Sequence, residues 1–287
     1  MPLRFSAALK RGSIYGALIG LALFYLGPLI VMLMTSFKGP MDLRTGQLIS
    51  LPQELVLDAW RIAWTEACTG VECTGVKGYF FNSVGLVIPA VAITTFVGAI
   101  NGYALSFFRF RGSELFFGCL LFGCFVPFQA ILIPMAQTLG FLGLAQSLGG
   151  LIFVHCVYGI AFTTMFFRNY FQSVPMNLIQ AARIDGAGFS RIFLRIILPL
   201  SVPMIVVSVI WQFTQVWNDF LFGVVFAGKD NQPVTVALNN MVNTSTGIKQ
   251  YNVDMAGAVI AALPTLLIYV LAGRFFVKGL MAGAVKG

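Results

Sequence analysis

Six stretches of this chain run for about twenty residues or more almost without charge, at about 13–36, 80–107, 115–136, 148–167, 199–227 and 256–277. A membrane-spanning helix needs roughly 20 predominantly apolar residues. The pattern therefore predicts an all-α, polytopic membrane protein with six transmembrane helices in one transmembrane domain covering 1–287, and no separate soluble domain. The first run is too long for a signal-peptide core and no small-residue cleavage site follows it, so it reads as a retained span. Composition agrees. Only 10% of residues are charged, against about 25% in a soluble domain, and mean hydropathy is +0.88.

The charges orient the spans. With the N-terminus inside, the cytoplasmic segments hold Arg4, Lys10, Arg11, Arg109, Arg111, Arg168, Arg183, Arg191, Arg195, Arg274, Lys278 and Lys286, twelve of the eighteen basic residues. The outside segments hold Lys38, Arg44, Arg61, Lys77, Lys229 and Lys249. Lys and Arg accumulate in cytoplasmic loops, so both termini are predicted inside. The net charge of +8 is a topology signal plus lipid-headgroup contacts and calls for no nucleic acid.

The outer segments are of two kinds. In the long one, 37–79, LPQELVLDAWRIAW (Leu55, Leu57, Trp60, Ile62, Trp64) suggests a short interfacial helix, because Trp favours the headgroup level. The other, 228–255, is rich in Asn, Thr and Gly and reads as an irregular cap. Cys68 and Cys73 stand close together in CTGVEC; an oxidising compartment permits a disulfide there, and two free thiols are the alternative. Cys119, Cys124 and Cys156 lie in spans as apolar filler. His155 is the only histidine, and no metal-ligand spacing is present.

The spans also carry polar groups. Span three has Pro127, Gln129 and Pro134; span five has Gln212, Thr214, Gln215, Asn218 and Asp219. Positions 212, 215 and 219 fall on one helical face by the i, i+3, i+7 rule. That face, with Gln129, reads as a hydrophilic path, with Asn218 and Asp219 at its mouth; interhelical hydrogen bonding is the plainer alternative for Gln212 and Gln215.

The least expected element is NLIQAARIDGAGFSRIFLRIILPLSVP, residues 177–203, polar and basic between two greasy spans. Pro175 opens a helix. Leu178, Ala181 and Ala182 make an apolar stripe, and Gly186 ends the helix at positive φ. Asp185 or Ser190 is the expected cap of the next helix. Phe189, Ile192, Phe193 and Ile196 then form one face, with Arg191 and Arg195 on another. Such an element either lies on the membrane surface or docks into a groove of a cytoplasmic partner.

The order Ala181-Ala182-x-x-Asp185-Gly186-Ala187, followed by Ile197-Leu198-Pro199, resembles the EAA loop of ABC importer permeases. Asn82-Ser83, Pro127-x-Gln129 and Trp217-Asn218-Asp219-Phe220 extend the resemblance along the chain, towards the carbohydrate, maltose-transporter-like branch. The resemblance implies the type I importer permease fold in a bacterial cytoplasmic (inner) membrane. It implies a coupling helix at about 175–190 within the cytoplasmic loop 168–198, carried by Leu178, Gln180, Ala181, Ala182, Asp185, Gly186, Ala187 and Phe189. It implies a homologous second permease, two cytoplasmic ABC ATPase subunits and an extracytoplasmic sugar-binding protein. ATP and Mg would belong to the ATPase, with no cofactor on this chain, which has no GxxxxGK[ST]. The implied cargo is a sugar, with glucose or another monosaccharide the nearest match. Gln180 departs from the family's usual Glu, which removes a carboxylate from the docking surface.

Two other classes compete. A stand-alone secondary transporter would ordinarily bury ionisable groups in its spans, and this chain has few. A membrane enzyme would need a convergent acid, base or metal cluster, and one histidine with almost no intramembrane carboxylates does not supply it.

Overall fold

The computed structural model describes residues 2–45, 49–70, 72–108, 110–244 and 249–284, with side chains from residue 11 to residue 273. Arg109 and Lys286 of the charge argument lie outside the described residues, as do the side chains of Arg4, Lys10, Arg274 and Lys278. Every element of appreciable length is a helix, because in hydrocarbon each backbone N–H and C=O must be paired within its own segment.

The chain divides into two compact units, residues 1–77 with 238–261, and residues 78–237 with 262–287. The first unit opens with α1 (Pro2–Ser36), then α2 (Pro40–Thr45) and α3 (Asp58–Thr65). The interfacial segment is thus helical only over its second half. Leu55 and Leu57 precede the helix and stay exposed, while Ala59 and Ala63 form its buried face. Lys38, almost fully buried, donates from Nζ to Ser50 Oγ at 3.1 Å, and its carbonyl accepts from Asn252 Nδ2 at 3.0 Å. Cys68 and Cys73 form a disulfide. Lys249 pairs with Asp254 at 2.9 Å.

The second unit holds the bulk of α4 (Lys77–Phe107), then α5 (Ser113–Phe125), α6 (Leu132–Phe141) and α7 (Leu148–Phe171). The loop helices α8 (Met176–Ile184), α9 (Phe189–Ile192) and α10 (Leu198–Leu200) lead into α11 (Val202–Trp217) and α12 (Leu221–Phe226). Helices α13 (Val234–Asn243) and α14 (Tyr251–Ala284) run from one unit's residues into the other's. Among the described residues four helices are long and apolar enough to cross a membrane, and the number rises to six if each of two bent pairs counts as one span.

Helices α4 and α7 pack at backbone distance. A Cβ at Gly98 would come within 2.6 Å of Thr163 Cβ, and one at Gly102 within 2.6 Å of Phe167 Cβ. This is the small-xxx-small contact of membrane helices. Thr163 Oγ1 donates to Thr94 O across it at 2.9 Å.

Three sequence expectations need correction. Span three is not one helix: its halves bend by 100° at Val126–Pro127. Pro127 offers no N–H, and the residue before a proline is pushed out of the α region; Val126 is extended, at φ −68° and ψ 121°. Span five is also broken, where α11 ends at Trp217 and α12 starts only at Leu221. At its entry, as expected from Pro199 and Pro203, the loop segment Phe189–Leu200 meets Val202–Trp217 at 77°, and residues 193–197 widen to a π turn. Finally, 228–255 is no irregular cap, since α13 occupies its middle. Val234, Ala237 and Met241, at helical spacing, are buried; the Asn and Thr residues between them hide that period from a compositional reading.

Candidate functional site

Helix α8 begins after Pro175, whose fixed φ suits a helix entry. Its end is a Schellman motif: Gly186 N–H donates to Arg183 O at 3.0 Å, Ala187 N–H donates to Ala182 O at 2.9 Å, and Gly186 sits at φ +77°. Asp185 and Ser190 do not cap the next helix. Gly188 holds that position, without a side-chain bond, and Ser190 lies inside α9. The buried stripe of α8 also differs from the expected one. Ile179 and Ala182 face inward, whereas Leu178, Gln180, Ala181 and Asp185 are exposed.

The inward side ties this loop to the spans. Ile179, Ala182, Ile192, Phe193 and Ile197 share one buried cluster with Tyr103 and Phe107 of α4, Phe167 and Phe171 of α7, and Val207 of α11. Arg183 donates to Phe107 O at 3.2 Å and lies over the Phe108 ring, 4.4 Å from its centroid. Tyr103 donates its hydroxyl to Phe189 O at 3.3 Å, and the two rings pack 4.7 Å apart. Phe189 therefore belongs more to this anchor than to the outer face. The loop is anchored on its inner side and exposed on its outer side.

A second feature lies within the spans. A cavity of about 650 Å³ is lined by α7, α11, α12 and the bend after α5. The breaks inside spans three and five open onto it: Val126 and Phe128 between α5 and α6, Asn218, Asp219 and Phe220 between α11 and α12. Non-helical backbone at membrane depth is tolerated where it lines a cavity.

Four of the five expected path residues are here, but not as one helix face. Gln212 and Gln215 project from α11, while Asn218 ends that helix and Asp219 lies beyond it. Asp219 Oδ1 accepts from Phe222 N–H at 3.3 Å and Oδ2 from Gly223 N–H at 3.1 Å, so the carboxylate caps the start of α12. Gln129 is not among the lining residues; it sits exposed on the 3-10 turn after Pro127. Gln212 is buried and pressed against Gly159, where any Cβ would collide with its amide.

Sequence reading missed His155, Tyr158, Phe162 and Trp211, which also line the cavity. His155, Tyr158 and Phe162 follow the i, i+3, i+7 rule on α7. Because Phe162 and Tyr158 suit an apolar span, the stripe gave no polar signal. The short motifs that carry the family resemblance have structural places too. Asn82 Nδ2 donates to Asp230 O at 2.8 Å, and Ser83 Oγ accepts from Val234 N–H at 2.8 Å. Trp217 is buried and stacks on Phe213 at 5.5 Å.

Long apolar helices, an anchored loop and a cavity among the helices define a polytopic α-helical membrane protein. Residues 94–277 match the family model of the binding-protein-dependent transport system inner membrane component. The chain belongs to that family, and it is a multi-pass permease component of the inner membrane. An ABC transporter permease of Pyrococcus horikoshii is 44% identical over 180 residues, 62% of this chain and 65% of that protein. The xylose/arabinose import permease XacI of Haloferax volcanii is 36% identical over 230 residues, 73% of this chain and 74% of that protein. The fold is shared with a chain of a bacterial ABC transporter involved in the import of the acidic polysaccharide alginate, at TM-score 0.77 and 22% identity, covering 92% of this chain and 96% of that one.

Proposed function

We propose that this chain is the permease subunit of an ATP-driven, binding-protein-dependent sugar importer. The observation that carries the reading is the α8 lever, with one face buried among three spans and the other open for a cytoplasmic partner. Two ABC ATPase subunits bind ATP and Mg; a homologous second permease completes the pore; an extracytoplasmic binding protein delivers the sugar. Closure of the ATPase dimer pushes on Leu178, Gln180, Ala181 and Asp185, and the cluster around Phe193 and Phe167 passes the movement to α4, α7 and α11. Gln180 is neutral, so docking rests on shape and apolar contact, with Asp185 as the carboxylate on that face. The path runs through the cavity beside Gln212, Gln215, Asn218 and Asp219.

For the cargo, a sugar in general is supported by the relative named for xylose and arabinose and by the neutral polar groups along the path. Glucose in particular has no support from these relatives, and the monosaccharide expectation widens to sugars in general, oligosaccharides included.

The test is gentle extraction of native membranes and capture of this chain. The expected companions are an ATPase and a second multi-span subunit, with Asp185→Arg losing the ATPase. A chain that purifies alone and transports without ATP would overturn the reading.

A further inference from the structure

We infer that this subunit holds a sugar subsite of its own, for a neutral rather than an acidic sugar, where His155, Tyr158 and Gln212 meet beside Trp211. The inference rests on the importer reading above and deepens it.

Buried polar atoms in proteins are nearly always paired, and each orphan needs a reason. Among the described residues, four buried side-chain polar atoms lack a hydrogen-bond partner, and three of them, His155 Nε2, Tyr158 OH and Gln212 Oε1, belong to residues lining this one cavity. His155 is 4% exposed and Gln212 2% exposed, so bulk water does not compensate them. Leaving such an atom unsatisfied costs more than an ordinary hydrogen bond gains. Three orphans at one place are the signature of a site whose hydrogen bonds are completed by a ligand that enters it.

Their chemistry selects the visitor. The amide oxygen of Gln212 only accepts, the Tyr158 hydroxyl donates and accepts, and the imidazole nitrogen does either according to tautomer. A sugar hydroxyl donates and accepts in turn and satisfies all three. Trp211, half-buried, adds an aromatic surface for the apolar face of a sugar ring, and a cavity of about 650 Å³ is of small-molecule size. Charge sets the subclass. No Lys or Arg is among the lining residues, and the one carboxylate is Asp219. A uronate would meet a negative wall with no cation to pair, an arrangement that rejects acidic ligands. The solved relative that shares this fold is named for the acidic polysaccharide alginate; this cavity lacks the charge for such a cargo.

The test uses the whole transporter with its partners in proteoliposomes. ATP-dependent import of radiolabelled xylose, arabinose, maltose and an alginate trisaccharide is scored first. Any imported sugar is then bound at equilibrium to the permease–ATPase complex without binding protein, in wild type, Tyr158→Phe and Gln212→Met. Co-purification with the ATPase reports that each variant is folded. The expected result is import of a neutral sugar but not of the alginate trisaccharide, with binding weakened roughly 3- to 10-fold by Tyr158→Phe, the loss of about one hydrogen bond. Neutral-sugar import with binding unchanged in both variants would overturn the subsite and leave the importer standing. Import of the alginate trisaccharide would overturn the charge class. No ATP-dependent import of any of the four would overturn the importer reading itself.

Discussion

The Nε2 atom of His155 stands 3.7 Å from Oδ2 of Asp219, joining α7 to the break that follows α11. That separation is beyond a hydrogen bond, and the carboxylate spends its acceptors on the backbone of α12 instead. The acid at the cavity wall is thus first a cap. Asp219→Ala frees two amide donors at a helix start, a loss worth about 0.5–2 kcal/mol. Asp219→Asn keeps one acceptor. The expected order of thermal midpoints for the purified transporter is wild type, then Asn, then Ala; an Ala variant as stable as wild type would remove the capping role.

Arg168 makes two contacts of unequal worth. It binds both carboxylate oxygens of Glu114, at 3.0 and 2.8 Å, and its guanidinium covers the Phe117 ring 3.8 Å from the centroid. Glu114 is 68% exposed while Arg168 is 14% exposed. Screening leaves an exposed pair about 0–1 kcal/mol, whereas the stacked, sheltered arginine also carries packing. Glu114→Ala is expected to change thermal stability little, and Arg168→Ala to lower it clearly more. Equal effects would mean the ion pair, not the stack, holds α5 to α7.

Close packing of α4 on α7 predicts a steep response at Gly102. An added Cβ there meets Phe167 Cβ at 2.6 Å and the Arg168 backbone nitrogen at 2.8 Å, while at Gly85, on the same helix, the nearest atom is the flexible Leu148 Cδ2 at 3.6 Å. Overpacking costs about 1–3 kcal/mol. Gly102→Ala is expected to cut the yield of folded, monodisperse protein and Gly85→Ala to leave it unchanged, as read by size-exclusion profiles in detergent.

The sequence discloses the apolar helices and the turn after α8, but not the cavity. Apolar run length finds the helices able to span, because hydrocarbon thickness sets the length they need. Gly186 is legible as a turn because only glycine adopts its φ without strain. Gln212, by contrast, becomes an orphan only because Gly159, on another helix, lets its amide in, and Asp219 leaves the α11 face only because the helix ends at Trp217. Both are facts of tertiary approach, and a helical-face rule applied to one segment has no access to them.

The outer disulfide makes a chemical prediction. Cys68 and Cys73 are bonded, whereas Cys119 is free and exposed and Cys156 is free and buried. In unfolded protein, a maleimide reagent is expected to add to three cysteines before reduction and five after. Five additions without reductant, on protein isolated under thiol-blocking conditions, would show that the pair stays reduced in its native compartment.

Gly186 separates strain from contact. At φ +77° the backbone disfavours any residue with a Cβ, yet a Cβ there would touch nothing within 4 Å. The cost of substitution is therefore conformational alone, roughly 1–2 kcal/mol for an ordinary residue, more for a β-branched one and less for Asn, which tolerates this region. A loosened turn leaves the spans intact, because Ile179 and Ala182 still anchor α8. It frees the Schellman end from its fixed angle, so that on the proposed docking the outer face no longer meets the ATPase in register. Gly186→Val is expected to reach the membrane in normal amount while uptake falls well below that of wild type. Gly186→Asn should retain most uptake, since only φ has to be met. The paired measurement is ATP-driven sugar uptake against membrane abundance in the same vesicles. Normal uptake by the Val variant would show that coupling does not pass through the geometry of this turn.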